Sequence, residues 1–171
     1  VTGADVAVVV VALTQKDEGE AINGGGDRDT LDLSADQEQL IRDVAQIAPK
    51  TVVVMEAGGP LTMESWRADA DAIVMAWYPG MEGGHALTDV IFGRVNPSGR
   101  LPFSVPKRAE DLPFFDRDAV AITYDLWHGY TKLDREGIAP AYPFGFGLGY
   151  TDIVFSNAEV TLDEEEGSFG V

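Results

Sequence analysis

A chain of 171 residues, 45% of them apolar, is long enough for one domain with a core of its own, or for a domain and part of another. Its 29 acidic residues against 12 basic ones give a net charge of −17, which sets it against nucleic acid and anionic membranes as partners. It has no cysteine, so no disulfide frame and no thiolate metal site, and no signal peptide, lipid motif or run of eighteen apolar residues appears.

The chain opens on Val1 two or three residues before a strand, as a piece of a longer polypeptide would, and both a cytoplasmic and a secreted location stay open. Lysine is confined to Lys16, Lys50, Lys107 and Lys132. An acidic, lysine-poor surface fits adaptation to high salt and fits an acidic extracellular enzyme equally well.

The continuous β-branched run from Val6 to Leu13 reads as a strand buried on both faces. Ser34 and Gln37 have capping-box spacing, and Leu40, Ile41, Val44, Ile47 and Ala48 share one face of the helix that follows, which Pro49 ends. Thr51 to Met55 is a second buried strand, closed by Gly58-Gly59-Pro60. One short helix is expected between Met63 and Ala70. A third strand runs from Asp71 to Trp77 and ends at Tyr78-Pro79-Gly80. Glu82 to Phe92 is a helix with Ala86, Leu87, Val90 and Ile91 inward and Gly93 closing it.

This alternation predicts an α/β fold, a mostly parallel sheet flanked by helices with right-handed crossovers. Loops leaving the carboxyl ends of parallel strands share one edge, so Glu18, Glu20, Asp27, Arg28 and Glu82 should lie on one side of the molecule. After Gly93 the character changes. Asn96 to Pro106 holds three prolines and reads as an extended segment over the core. Lys107 to Ala119 reads as a charged loop, and Tyr124 to Tyr130 and Pro140 to Tyr150 are aromatic with little periodicity. Thr151 to Leu162 alternates weakly, as the first strand of a following β domain would, and the acids Asp163 to Glu166 read as a solvated turn rather than a calcium site.

The loop from Asp17 to Arg28, D-E-G-E-A-I-N-G-G-G-D-R, is too polar and too rich in glycine for the interior. By composition alone, Glu18 and Glu20 are two solvated loop acids. Gly24 to Gly26 do not make a phosphate cradle, because no Gly-Lys-Ser/Thr follows and Asp27 repels phosphate. His85 and His128 lack partners at metal-ligand spacing, and no cofactor is expected. Tyr78 and Trp127 are candidates for stacking on a sugar ring, while Trp77 reads as packing at the end of its strand.

Four motifs carry a resemblance. They are Gly26-Asp27-Arg28, Ala76-Trp77-Tyr78-Pro79-Gly80-Met81-Glu82-Gly83-Gly84, Asn96-Pro97-Ser98-Gly99-Arg100-Leu101-Pro102, and Tyr142-Pro143-Phe144-Gly145-Phe146-Gly147-Leu148-Gly149-Tyr150-Thr151. Together they resemble the second, α/β-sandwich domain of glycoside hydrolase family 3, the β-glucosidase and β-xylosidase family. The resemblance implies that residues 1–150 form the C-terminal sandwich domain, without its opening strands, and that 151–171 lead into a fibronectin-III-like domain. It implies a retaining exo-β-glycosidase in which a (β/α)8 barrel of the same protein supplies an aspartate nucleophile. This part would then supply the acid/base that acts on an oligosaccharide or aryl β-glycoside.

The family's Gly-Glu pair matches Gly19-Glu20, so the resemblance points to Glu20 as acid/base, with Glu18 as the alternative. Asp27 and Arg28 would form an ion pair that pins the loop. Retaining cleavage sets two carboxyls about 5–5.5 Å apart, one attacking the anomeric carbon and one protonating the leaving oxygen. The donor must start protonated, which burial or nearby negative charge such as Asp17 and Glu18 would favour. The rival expectation is a non-catalytic carbohydrate-binding or interaction module without a barrel. A homodimer stays open under either.

Overall fold

Two valine-rich runs set the sheet. The structure, a computed structural model, describes residues 3–18, 28–116, 119–154, 156–157, 160–163 and 168–170. Strand β1 (Ala7–Ala12) pairs in parallel with β2 (Thr51–Glu56), from Ala7 opposite Thr51 to Ala12 opposite Glu56. Strand β2 pairs in parallel with β3 (Ala72–Met75), so the order is β1-β2-β3. Helices α2 (Ala35–Ile47) and α3 (Gly83–Ile91) follow β1 and β3. This is the expected α/β arrangement.

One face of the sheet makes the core. Val9, Val11, Val53 and Met55 pack with Ile41 of α2 and with Trp66, Leu61 and Met63 from the segment between β2 and β3. The segment after β2 contains only a 3-10 turn, Arg67–Asp69, where a short helix was expected. On α2 the buried face is narrower than the sequence suggests. Ile41 is fully buried, but Leu40 and Ile47 at the margins of the stripe are exposed. Burial on both faces holds for β2, where Val53 and Val54 are both buried. It fails for β1, whose Val8 and Val10 are about half exposed. Val9 and Val11, on the face that α2 covers, are buried, and the alternate residues Val8 and Val10 of this edge strand point to the other face.

Half of the expected capping box forms. The Ser34 hydroxyl accepts the Gln37 N–H, as an N-cap should. The Gln37 side chain, however, does not turn back on Ser34. Its amide oxygen accepts the Ala12 N–H at 2.8 Å, and its amide nitrogen donates to the Ala12 carbonyl at 3.1 Å. The end of an edge strand leaves both backbone groups without a ladder partner, and that demand outweighs the local box. One glutamine therefore ties α2 to the end of β1, beside the loop of interest. On α3, Leu87, Val90 and Ile91 are partly buried, but Ala86 is exposed, contrary to the helical-face reading.

The proline-rich segment is extended and lies against the core, as its composition requires. Val105 is buried and bridges to Tyr142; Val105 N–H donates to the Tyr142 carbonyl and Ala141 N–H donates to the Val105 carbonyl, each at 2.8 Å. Gly145 N–H donates to the Leu101 carbonyl, and Asn96 Oδ1 accepts the Tyr150 N–H at 2.6 Å. The Asn96–Pro102 and Tyr142–Thr151 motifs are thus each other's structural partners. Helix α4 (Tyr130–Glu136) was not expected from the sequence. Its signals are short: a buried Leu133, a Lys132–Glu136 pair one turn apart, and Gly137 at φ 67° closing it. Near the C-terminus, β4 (Thr161–Asp163) and β5 (Ser168–Gly170) pair antiparallel. Among the described residues no helix is long and apolar enough to cross a membrane.

Candidate functional site

The carboxyl ends of all three parallel strands meet at one small cluster. After β1 a single helical turn, α1 (Gln15–Glu18), interrupts what the sequence presents as a plain loop. Asp17 closes it by reaching back to Thr14. The Asp17 carboxylate accepts the Thr14 N–H at 2.8 Å and the Thr14 hydroxyl at 2.5 Å. The hydroxyl bond, chiefly, holds the Asp17 carboxyl below its ordinary value.

That turn carries Glu18 to the sheet edge. One Glu18 oxygen accepts the Gly58 N–H, from the turn after β2, at 3.1 Å, and also accepts the Tyr78 hydroxyl, from the turn after β3. The other lies 3.9 Å from Arg28 Nε. Arg28 Nη2 donates to the Pro60 carbonyl at 2.9 Å, while Nη1 is buried without a hydrogen bond among the described residues. The structure thus brings Glu18, Arg28 and Tyr78 together at the edge where parallel-strand logic expects them. Glu20 and Asp27 lie outside the described residues, as does any Asp27–Arg28 pair.

Close approach explains the glycine at 58. A Cβ there would sit 3.0 Å from Tyr78 Cε2 and 3.3 Å from the Glu18 oxygen. Loss of water around the hydroxyl, and then the bond to Glu18 and its negative charge, raise the Tyr78 hydroxyl above its ordinary pKa of 10, against a smaller lowering by the Gly58 backbone and Arg28. Its neighbour Trp77 has a left-handed φ of 58°, which is costly for a bulky residue. The Trp77 ring packs edge-on against Phe103 at 5.5 Å, in keeping with a packing role.

The remaining candidates are dispersed. Glu82 stands at the start of α3, exposed, and pairs with His85 at 2.8 Å. Trp127 is partly exposed, with the Arg135 guanidinium 5.0 Å from the centre of its ring. No group of three potential metal ligands occurs among the described residues.

One feature was invisible in the sequence. A cleft of about 460 Å³ opens beside Pro60, walled by Pro102, Phe103, Leu126, Tyr130 and Phe144. It draws on segments far apart in the chain, and no local periodicity could have signalled it. Because Pro60 both walls the cleft and accepts from Arg28, the cleft adjoins the Glu18 cluster.

A parallel α/β sheet with a polar cluster at its carboxyl edge is the usual layout of an α/β ligand or catalytic site. Residues 1–150 match the family model described as the glycosyl hydrolase family 3 C-terminal domain. The chain belongs to that family. It is 38% identical over 164 residues to a probable beta-glucosidase I of Aspergillus terreus, covering 93% of this chain and 19% of the relative. It is 40% identical over 164 residues to a beta-glucosidase of Rhizobium radiobacter, covering 91% and 20%. Among solved structures, beta-D-glucoside glucohydrolase from Trichoderma reesei superposes with a TM-score of 0.83 at 32% identity, covering 93% of this chain and 23% of that one. Beta-glucosidase 3B from Thermotoga neapolitana, in complex with alpha-D-glucose, gives 0.80 at 34% identity, covering 94% and 24%. The chain therefore spans about a fifth of the length of its relatives.

Proposed function

We propose that this chain is the acid/base-bearing part of a retaining exo-β-glycosidase of the β-glucosidase type. A barrel domain of the same protein supplies the nucleophile, and residues 151–171 lead into a fibronectin-III-like domain. Membership of the family supports glycoside hydrolysis. The substrate is a terminal β-linked sugar on an oligosaccharide or an aryl group.

Glu20 is the acid/base in this reading. A general acid needs an O–H free to donate to the leaving oxygen. The observation that carries the choice is that the oxygens of Glu18 are already engaged: one accepts from Gly58 and Tyr78, and the other faces Arg28. Glu18 and Arg28 stand at the two ends of the segment that holds Glu20, and their contact staples that segment's base. A second reading puts the proton on Glu18 itself, favoured by its half-buried place where the three strands converge.

The test uses the complete enzyme. Glu20→Gln is expected to cripple hydrolysis of glycosides with poor leaving groups and to spare activated aryl glycosides more. Azide is expected to rescue Glu20→Ala. Rescue of Glu18→Ala instead moves the role to Glu18.

A further inference from the structure

The chain leaves the sheet at Trp77, in a conformation that bulky residues avoid. Pairing with β2 persists to the residue before it, where the Ala76 N–H donates to the Met55 carbonyl at 2.8 Å. Trp77 then takes a φ of 58°. Among the described residues, the other non-glycine with a positive φ is Asn157, and asparagine tolerates that region where a large ring does not. A costly backbone persists only when its surroundings hold it, and such positions gather at functional sites. We propose that Trp77 is a positioning residue whose turn sets the Tyr78 hydroxyl on Glu18. The proposal rests on the reading of the Glu18 cluster as the base of a glycosidase active site.

Alternation along β3 shows what the turn does. Ile73 and Met75 pack against the core, and residue 77 falls on the same face of the strand. The Trp77 ring stays on that face, edge-on to Phe103 at 5.5 Å, and Phe103 packs against the core in its turn. A straight strand would carry residue 78 to the opposite face. Tyr78 instead lies against the turn after β2, where a Cβ on Gly58 would meet its Cε2 at 3.0 Å, and its hydroxyl donates to Glu18. Pro79 disfavours helical backbone at residue 78, which narrows the ways Tyr78 could reach Glu18 from a different turn.

The support under the ring is fixed as well. Phe103 precedes Ser104, which is buried and accepts the Phe144 N–H at 3.1 Å. Val105 follows, bonded through its backbone to Ala141 and Tyr142 at 2.8 Å. The proline-rich segment therefore braces the Trp77 ring, the ring holds the turn, and the turn aims Tyr78.

The test is a double-mutant cycle in the complete enzyme that combines Trp77→Ala with Tyr78→Phe. It is read in kcat and KM on a glycoside with a poor leaving group, and in Tm. Trp77→Ala is expected to lower kcat about tenfold, as loss of a hydrogen bond to a charged acceptor does, with KM little changed. The same change is expected to cost markedly less once residue 78 is phenylalanine. A loss as large in that background as in wild type overturns the proposal, and so does an unchanged kcat, with or without a rise in KM. Should Trp77→Ala not fold, Phe103→Leu takes the edge contact from the ring, leaves Trp77 in place, and enters the same cycle with the same outcomes. Wild-type protein that fails to hydrolyse an aryl β-glucoside sinks the enzymatic reading, and the cycle in Tm then decides whether Trp77 holds Tyr78. Hydrolysis without coupling sinks the positioning role alone.

Discussion

The Tyr78 hydroxyl donates to the Glu18 carboxylate, which joins the turn after β3 to the turn after β1 across the intervening β2. Gly58, from the turn after β2, donates its N–H to the same oxygen. Three segments far apart in sequence are thereby locked at one point.

Tyr78→Phe removes the donor and leaves the ring. A hydrogen bond to a charged acceptor is worth about 1.5 kcal/mol, roughly tenfold in a rate constant. The expected outcome in the complete enzyme is a fall of that order in kcat for poor leaving groups with KM little changed. If Tyr78 were instead a stacking platform for sugar, the phenylalanine would keep the face, and steady-state kinetics would show near wild-type kcat.

Gly58→Ala is expected to be more damaging than its single methyl suggests. The new Cβ would meet the Tyr78 ring at 3.0 Å and the Glu18 oxygen at 3.3 Å, so one of the two must move. Overpacking of this kind costs about 1–3 kcal/mol. Calorimetry should show a lower Tm, and Tyr78→Phe combined with Gly58→Ala should cost less than the sum, because the second change disrupts a bond already lost.

The parallel order of the strands and the shared edge were legible because valine runs, turn glycines and prolines punctuate this chain clearly. Arg28 and Tyr78 could be placed on that edge by topology alone. Their partners could not. Nothing local says that Gln37 binds Ala12 across 25 residues in preference to closing a box on Ser34. Nor does sequence spacing show that Glu18 reaches Gly58, 40 residues away. Helix α4 was hidden because its seven residues carry one buried leucine, too few for a periodic signal.

Asp17 gives the site an acid dependence. Its folded carboxyl is held below the ordinary 3.8, first by the Thr14 hydroxyl and then by the Thr14 N–H. The depressed value means the stabilisation is complete above the unfolded pKa and is lost as pH falls through the folded one. Melting curves of wild type and Asp17→Asn should therefore differ at pH 5 and above and converge below pH 3.8. A difference that persists undiminished at the acid end would show that the α1 cap depends on the side chain's shape and not its charge.

Arg28 supports two tasks that a pair of substitutions separates. Arg28→Lys keeps a cation beside Glu18 but forfeits the fork that reaches the Pro60 carbonyl. Arg28→Met removes both the charge and the buried Nη1, which has no hydrogen bond among the described residues. Glu18 and Arg28 retain 27% and 14% of their side-chain exposure, so solvent weakens their attraction only in part. A double-mutant cycle between Glu18→Gln and Arg28→Met should then return a coupling of about 0.5–1 kcal/mol, more than a fully exposed pair at that separation would give. Coupling within error of zero would mean that Glu18 and Arg28 are held by their separate bonds to Gly58, Tyr78 and Pro60, with nothing added by their mutual contact. Arg28→Lys would in that case melt at the same temperature as Arg28→Met, where the stapled loop requires it to melt higher.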